Sequence, residues 1–344
     1  LANPGSTTGA DIDLGNDSVT TVINDDDQSV WSIAGAISID EGNTAQYTVA
    51  LSGTLQLAEV ATIELSLSDV STDSTDYANF VTAVNSAIGS RSDLTFVAGI
   101  LTYTGDGNAM ADLVISLDAT DDNLTEGPES YTVDLANPGS TTGADIDLGN
   151  DSVTTVINDD EQSVWSIAGT TSVDEGNTAQ YTIALSGTLQ LGETATINLS
   201  LSDVSTDSTD YADFVSAVNI VVGARTDLTF NSTNGLLTYT GDGNPMADIV
   251  IDLDATDDSL TEGPESYTVD LANPASTTGA DIDLGNDSVT TVINDDDQSV
   301  WSITGTTSVD EGNTAQYTVA LSGTLQLNET ATIELSLSDV STDS

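Results

Sequence analysis

The chain of 344 residues contains no cysteine, no histidine and no lysine, and its only cationic side chains are Arg91 and Arg225. Without cysteine, disulfide bonds cannot contribute to its stability. The missing residue types also exclude the usual nucleophile–base triads, Schiff-base lysines and metal sites built on nitrogen or sulfur ligands. Any site chemistry must therefore rest on oxygen-bearing side chains.

The scarcity of positive charge also limits the possible partners. Two arginines cannot form the basic surface that nucleic acid requires, and binding to anionic membrane surfaces is excluded for the same reason. No apolar run is long enough to cross a membrane. The chain carries 57 acidic side chains and a formal net charge of −55. Such a chain repels itself, and either bound cations or a surface adapted to salty water would account for it.

A long internal repeat organises the chain. The tripeptide Ser-Val-Trp recurs with Trp31, Trp165 and Trp301, at spacings of 134 and 136 residues. The two extra residues fall within 227–239, which indicates a hairpin tip, because insertions are tolerated at such places. A fixed period of this length predicts a series of similar modules.

The ends of the chain extend this pattern. Residues 1–28 nearly duplicate residues 135–162 and differ only at Asp27, where the copy has Glu161. The chain therefore looks like a window on a longer series of modules. We predict four segments: the end of a preceding repeat (1–28), two complete repeats (29–162 and 163–298) and the beginning of a following repeat (299–344).

Alternating apolar and polar residues predict that each repeat is an antiparallel Greek-key β-sandwich, so the fold class is all-β. One segment differs, because its apolar residues have helical spacing and follow Asp76, a plausible N-cap; they are Tyr77, Phe80, Val81, Val84 and Ile88. We predict a short inserted helix there. The strands predicted in the first repeat are 29–35, 44–53, 61–69, 100–105, 110–119, 129–136 and 151–159.

The order of strand reversals places the acidic turns together. If successive strands reverse direction, the turns at 39–43, 71–77, 119–122 and 157–161 all lie at one end of the sandwich. Crowded carboxylates repel one another unless a cation bridges them, and an all-oxygen cluster on flexible loops suits Ca²⁺ better than Mg²⁺. The alternative is that these Asp and Asn residues only form turns and cap helices.

The order of these motifs resembles the Calx-beta domain. The matching features of the first repeat are Glu41, Asp76-Tyr77, Asp121-Asp122 before Glu126-Gly127-Pro128-Glu129, and the closing segment 157–160 preceded by 135–138. The second repeat matches at Glu175, Asp210-Tyr211, Asp257-Asp258, 262–265 and 293–296. The resemblance covers each full repeat apart from the helical insertion. Near-identical modules in series are also similar to the extender regions of large bacterial surface adhesins.

The resemblance implies a Greek-key β-sandwich that binds Ca²⁺ at one tip through these acids. The ligands implied for the first repeat are Glu41, Asp76, Asp121, Asp122, Asp159 and Asp160, with Asp73 as a further candidate in the loop of Asp76. Their counterparts in the other copies are Asp25, Asp26, Glu175, Asp207, Asp210, Asp257, Asp258, Asp295, Asp296 and Glu311.

The connection between repeats is short. Asn158 ends one predicted strand and Trp165 already belongs to the next module, so we expect the modules to stack head to tail, with Ca²⁺ at or near the junction reducing its flexibility. Asp106, Asp145 and Asp147 are possible additional ligands there, although Gly-Asp-Gly is also an ordinary hairpin turn. The tryptophans are expected to anchor the core or the junction, and the arginines to form local ion pairs.

These observations favour a calcium-stiffened extracellular spacer in a large bacterial adhesin or surface fibre, whose partners are the neighbouring repeats of the same chain. Near-identity of the repeats favours a spacer, because recognition modules diversify their loops. The alternatives are a secreted self-assembling filament or biofilm-matrix protein, in which identical chains pair laterally, and a module that binds glycans or a host receptor. A glycosidase with paired carboxylates is disfavoured, since the acids crowd at turn ends instead of flanking a cleft. We therefore expect that the protein is not an enzyme.

Overall fold

The computed structural model describes residues 1–24 and 26–338. It confirms the predicted fold class: each complete repeat is a β-sandwich with one short helix. By its internal contacts the chain divides into two compact units. The first comprises Leu1–Asp121 and Glu129–Ile157, and the second comprises Asp122–Pro128 and Asn158–Ser344.

The first sandwich is built on the alternation seen in the sequence. Along β1, for example, Ser29, Trp31 and Ile33 are buried while their neighbours are more exposed, as expected for a strand with one face on a core. Its elements are β1 (Ser29–Gly35), β2 (Ser38–Asp40), β3 (Thr44–Leu51), β4 (Val60–Asp69), α1 (Phe80–Ile88), β5 (Leu94–Val97), β6 (Ile100–Thr104), β7 (Leu113–Asp118), β8 (Glu129–Gly139), β9 (Ile146–Leu148) and β10 (Ser152–Asn158).

These strands form a four-stranded sheet in the order β7-β3-β1-β9 and a six-stranded sheet in the order β2-β10-β8-β4-β6-β5. The pairs β1–β3, β3–β7, β4–β6, β4–β8, β5–β6 and β8–β10 are antiparallel, whereas β1 and β9 run parallel with Ser29 opposite Ile146. The prediction of purely antiparallel sheets was therefore wrong in this detail. The short strand β9 returns beside β1 in the same direction, and alternation within a strand carries no information about such a partner.

The two sheets enclose one hydrophobic core, and Trp31 is completely buried in it. A hydrogen-bonded group crosses this core: the Tyr47 hydroxyl donates to the Tyr131 hydroxyl at 2.8 Å and also contacts the Thr155 hydroxyl. Because buried hydroxyls cost free energy unless they are paired, this group favours one relative placement of the two sheets.

The inserted helix packs its Phe80, Val84 and Ile88 side chains into the core. Its N-cap is Asn79, whose side chain accepts a hydrogen bond from the Thr82 amide at 2.9 Å. The prediction that Asp76 caps the helix was wrong, because the helix begins later than the apolar spacing suggested.

The second unit contains a sandwich of the same design, in which Trp165 is completely buried. Its strands and helix are β11 (Ser163–Gly169), β12 (Ser172–Asp174), β13 (Thr178–Leu185), β14 (Thr194–Asp203), α2 (Phe214–Gly223), β15 (Leu228–Asn231), β16 (Leu236–Thr240), β17 (Ile249–Asp254), β18 (Leu260–Thr261), β19 (Glu265–Ala275), β20 (Ile282–Leu284) and β21 (Ser288–Asn294), followed by β22 (Trp301–Gly305), β23 (Tyr317–Leu321) and β24 (Thr324–Leu325). The sheets of the sandwich have the orders β17-β13-β11-β20 and β12-β21-β19-β14-β16-β15.

Residues Asp122–Pro128, which we call the clasp segment, connect β7 to β8 and yet belong to the second unit. The Thr125 amide donates to the Thr188 carbonyl at 2.7 Å, and the Gln190 amide donates to the Thr125 carbonyl at 3.2 Å. Thr125 thereby forms a parallel bridge with Leu189. The clasp segment was not anticipated from the sequence.

The same arrangement occurs again within the second unit. Strand β18, in the copy of the clasp segment at 258–264, pairs in parallel with β24, so that Leu260 lies opposite Thr324. By contrast, residues 1–24 and 26–28 form no strand, although they nearly duplicate residues 135–162. A strand requires a hydrogen-bonded neighbour, and no described strand pairs with this segment.

Candidate metal centre

Strand pairing in the second sandwich places Glu175 beside the closing acidic run. Strand β12 runs parallel to β21, with Asp174 opposite Asn294. One residue further on, the Glu175 amide donates to the Asn294 carbonyl at 3.1 Å. Because β21 ends at Asn294, the residues that follow it, 295–297, leave the sheet next to Glu175.

A third acidic loop reaches the same end through β17. This strand is antiparallel to β13, and the Ala255 amide donates to the Asn177 carbonyl at 2.9 Å. Asp257 follows two residues later. Gly176 has a φ of 70°, and a Cβ built on it would lie 3.2 Å from the Cβ of Asp257, so the turn and this side chain are in close contact.

These loops bring carboxylate oxygens within 4.8 Å of one another in two overlapping groups, Glu175 with Asp257 and Asp296, and Glu175 with Asp295 and Asp297. The structure thus brings together four residues that the sequence predicted as ligands, Glu175, Asp257, Asp295 and Asp296. Asp297 was missed, because the matching motif closes with two aspartates and the third was not counted as a ligand. The run of three consecutive acids was the signal that could have identified it.

Asp295 also fixes the positions of the loops that form the site. Its carboxylate accepts the Asp297 amide at 2.8 Å and the Glu262 amide at 2.8 Å. The first bond folds the acidic run into a turn, and the second attaches the segment around Glu262 to that turn. Asp159 makes the same two hydrogen bonds as Asp295. Its carboxylate accepts the Glu161 amide and, from the clasp segment, the Glu126 amide. Glu126 and Glu262 were quoted in the sequence motif but were not predicted as site residues.

The electrostatics show how unfavourable this crowding is. Partial burial raises the pKa of Glu175 to about 7, and the neighbouring carboxylates of Asp295 and Asp258 add to the shift. Burial raises the pKa of Glu262 to about 7 as well, with a further contribution from Asp258. The pKa of Asp297 is raised through its desolvation and through Asp295. A carboxyl group whose pKa lies near 7 is ionised at neutral pH only at a cost in free energy.

The donor set fits a hard divalent cation. One carboxylate oxygen of Glu175 and one of Asp297 are buried and have no hydrogen-bond partner among the described residues. Buried carboxylate oxygens normally accept hydrogen bonds or coordinate a cation. All the available donors are oxygens on loops, which matches the flexible oxygen coordination of Ca²⁺. The site as built by the chain has ligands and negative charge but no positive partner.

No cationic side chain is available to neutralise the site. Arg91 forms an ion pair with Asp93 at 2.6 Å, and Arg225 forms one with Asp227 at 2.5 Å, as predicted for local pairs. The guanidinium groups also donate to the carbonyls of Ala111 and Ala247. Since the chain has no other cationic side chain, a counter-charge for the acidic cluster must come from solution.

Other predicted ligands have local roles. Asp73 and Asp207 are exposed, and their carboxylates accept the amide and hydroxyl of Thr75 and Thr209, which lowers the pKa of both acids. Asp76 and Asp210 each accept the amide three residues earlier in the same loop. Asp122 and Asp258 each accept the amide two residues later, as turn-forming aspartates do.

The remaining predicted ligands differ in their placement. In the first unit the turn at Gly42, beside the half-buried Glu41, lies against the Asp121 side chain, as Gly176 lies against Asp257. Asp160, Asp26 and Glu311 are exposed, and of these three Asp26 and Glu311 belong to none of the carboxylate groups found in the described residues. Asp25 lies outside the described residues. Of the possible junction ligands, Asp106 accepts the Asn108 amide within its own turn, Asp147 accepts the amide of the next residue within β9, and Asp145 lines a cavity described below.

We expect the stability of the second unit in chelator to rise as the pH is lowered from about 8 to about 5.5. The pKa values of Glu175, Glu262 and Glu265 are raised to about 7 in the folded chain, from an ordinary value of 4.5. Between these values the folded state binds protons that the unfolded state does not, so acid favours folding, and this contribution is lost as the pH rises through 7. Calorimetry should show a melting temperature several degrees higher at the lower pH. A melting temperature that increases with pH in chelator would contradict the close clustering of these carboxyl groups.

Comparison with known proteins does not identify a family. No protein-family model matches the chain, and no curated protein matches it. Among solved structures, a cohesin module from a Clostridium perfringens family 33 glycoside hydrolase is 12% identical, with a TM-score of 0.22, and the match covers 39% of this chain and 99% of that one. An Escherichia coli alpha-2-macroglobulin is 9% identical over 81% of this chain and 18% of its own length, with a TM-score of 0.22. Within the described residues, no helix has the length and apolar character needed to span a membrane.

Proposed function

We propose that this chain is a series of calcium-stiffened spacer repeats from an extracellular bacterial adhesin or surface fibre, and that it is not an enzyme. The observation that carries the proposal is the acidic end of the second sandwich. There, buried carboxylate oxygens of Glu175 and Asp297 have no hydrogen-bond partner in the part of the chain that the structure describes, and both arginines are paired elsewhere. A bound Ca²⁺ supplies the positive charge that holds such loops together.

The position of the site supports a mechanical role. The acidic run 295–297 follows the last strand of one repeat and precedes the next repeat, which begins at 299. A cation held by this run and by the turn at Glu175 restricts the chain at the point where it leaves the sandwich. Loop-borne carboxylate sites in extracellular modules bind Ca²⁺ with dissociation constants of roughly 10⁻⁴–10⁻³ M, which suits the calcium concentration outside cells.

The near-identity of the two repeats supports a spacer over a recognition module. Their β-strands and loops agree almost residue for residue, including loops that a binding protein would vary. In a spacer every module has the same task, so sequence divergence between copies brings no advantage.

Small-angle X-ray scattering of the full chain tests this proposal. We expect that Ca²⁺, added to chelated protein at constant ionic strength, narrows the distribution of intramolecular distances, and that Mg²⁺ at the same concentration does not. An unchanged profile would mean that the acidic ends are only surface charge and would overturn the proposal. A calcium-dependent increase in molecular mass would instead favour the self-assembling filament.

A further inference from the structure

The first unit contains a cavity of about 500 Å³ at the end of the sandwich opposite the acidic turns. Its lining comes from three segments: residues 27–29, residues 53–59 and residues 142–145. Ser29 at its edge is only 6% exposed, and Leu55 forms part of its apolar wall. The second sandwich contains the same three segments with one substitution, but there the corresponding space is occupied. The cavity is therefore not an inevitable consequence of the fold.

In the second sandwich the corresponding place is filled by the clasp segment. The lining residues there are the same in type except that Glu161 replaces Asp27. Thr125 lies between the Thr188 carbonyl and the Gln190 amide and hydrogen-bonds to both. These are the counterparts of Thr54 and Gln56, which line the cavity in the first unit.

Side-chain contacts make this recognition specific. The Thr125 hydroxyl lies 2.9 Å from the Ser163 hydroxyl, and both residues are almost completely buried. Gly127 packs so closely that a Cβ on it would lie 2.5 Å from the Thr278 carbonyl oxygen. This occurrence of the contact therefore uses a hydroxyl at position 125 and leaves no room for a side chain at position 127.

The same contact is made a second time in the second unit. The Thr261 hydroxyl lies 2.9 Å from the Ser299 hydroxyl, and the Gln326 amide donates to the Thr261 carbonyl at 3.2 Å. Both occurrences use the sequence Leu-Thr-Glu-Gly-Pro, preceded by a short polar turn. The same peptide sequence therefore meets the same kind of surface at two places in the described chain.

We propose that the cavity of the first unit is a docking socket for an extended Leu-Thr-Glu-Gly-Pro peptide supplied by another copy of the repeat. The peptide adds one residue of parallel backbone pairing at Leu55, places its threonine hydroxyl on Ser29 and lays its glycine against Thr142. This inference shares with the proposed function the premise of tandem repeats, but it does not depend on calcium.

Disulfide trapping tests the socket, and the cysteine-free chain provides a clean background. The probe is a synthetic peptide with the sequence of residues 121–130 and cysteine in place of threonine at the position of Thr125. It is incubated with the full-length Ser29→Cys chain in a glutathione redox buffer, and coupling is followed by mass spectrometry. As a positive control, Thr125→Cys with Ser163→Cys should close a disulfide within one chain, because the two hydroxyls are adjacent in the structure.

Two comparisons decide the outcome. We expect the peptide to couple to Ser29→Cys roughly tenfold faster than a matched peptide with alanine in place of its glycine, since the added methyl group overpacks the socket. We also expect faster coupling than at Ser90→Cys, an exposed position outside the cavity. Equal rates for the two peptides, or equal rates at the two cysteines, would overturn the proposal. Running the reaction with Ca²⁺ and with chelator separates it from the proposed function, because coupling that persists in chelator supports the socket even if no stiffening occurs.

Discussion

Calcium is expected to raise the melting temperature of the chelated chain by about 5–10 °C. In the second unit, Glu175→Gln is expected to abolish most of this increase. Saturation to 100 times the dissociation constant contributes about 2.7 kcal/mol per site, and units of this size gain about 2–4 °C per kcal/mol. Glu175 belongs to both carboxylate groups at this end of the second sandwich, so its loss affects both of these ligand arrangements.

The same substitution should have the opposite effect without the metal. In chelator at about pH 8, the Glu175 carboxylate is ionised above its raised pKa of about 7 and is surrounded by other acids. Glutamine keeps the shape and removes the charge, so Glu175→Gln should melt at a higher temperature than the parent chain in chelator. The variant should thus melt at a higher temperature than the parent chain in chelator and at a lower temperature in Ca²⁺. This reversal is characteristic of a metal ligand and is not expected of a residue whose side chain contributes only packing contacts.

Asp207→Asn is the matched control for this experiment. Asp207 was predicted as a ligand from the sequence, but its carboxylate is exposed and is bound by Thr209 within its own loop. We expect that Asp207→Asn leaves the increase in melting temperature produced by Ca²⁺ unchanged, even if the substitution slightly changes the stability of the loop. If Asp207→Asn removes the increment and Glu175→Gln does not, the site has been assigned to the wrong loop.

Gly127→Ala is expected to destabilise the second unit by about 1–3 kcal/mol, the usual cost of forcing an additional methyl group into a packed site. The new Cβ would lie 2.5 Å from the Thr278 carbonyl oxygen and 3.3 Å from its carbon. Both are backbone atoms and cannot rotate away. The clasp segment must therefore withdraw, which breaks the hydrogen bonds of Thr125 with Thr188 and Gln190.

The chain contains its own control for this substitution. Gly263 occupies the same place in the second copy of the motif, but the nearest atom to a Cβ there is a Glu329 carboxylate oxygen at 3.9 Å. Gly263→Ala should therefore be close to neutral. Hydrogen exchange followed by mass spectrometry should show faster exchange around the Gln190 amide in Gly127→Ala and no change there in Gly263→Ala. Equal effects of the two substitutions would contradict the close packing of the clasp segment.

The parts of the structure that sequence reasoning predicted are those in which the signal is local. Strands such as β1 and β3 alternate over seven or eight residues, and each alternate residue enters the core. The convergence of acidic turns followed from counting reversals of such strands. The missed strands β2, β5 and β9 have only three or four residues each, too few for alternation to distinguish them from loops.

The clasp segment and the helix cap could not be predicted for different physical reasons. Thr125 hydrogen-bonds to residues more than 60 positions away, and no pattern within the segment indicates a partner at that separation. Asp76 and Asn79 are both good N-cap residues, so the choice between them depends on where Phe80 meets the core. In each case the deciding interaction is tertiary.

The clasp segment also bears on how a gene for such a protein can change length. Every complete repeat carries both the Leu-Thr-Glu-Gly-Pro peptide and the residues that receive it, and peptide and receiving surface meet across a repeat boundary. Recombination that inserts or removes whole copies therefore leaves a matched pair at every new boundary, provided that the copies stay alike. A copy that accumulates substitutions in either the peptide or the receiving surface no longer fits the neighbouring copy. Selection for interchangeable boundaries is thus a force that keeps the repeats uniform while their number is free to vary.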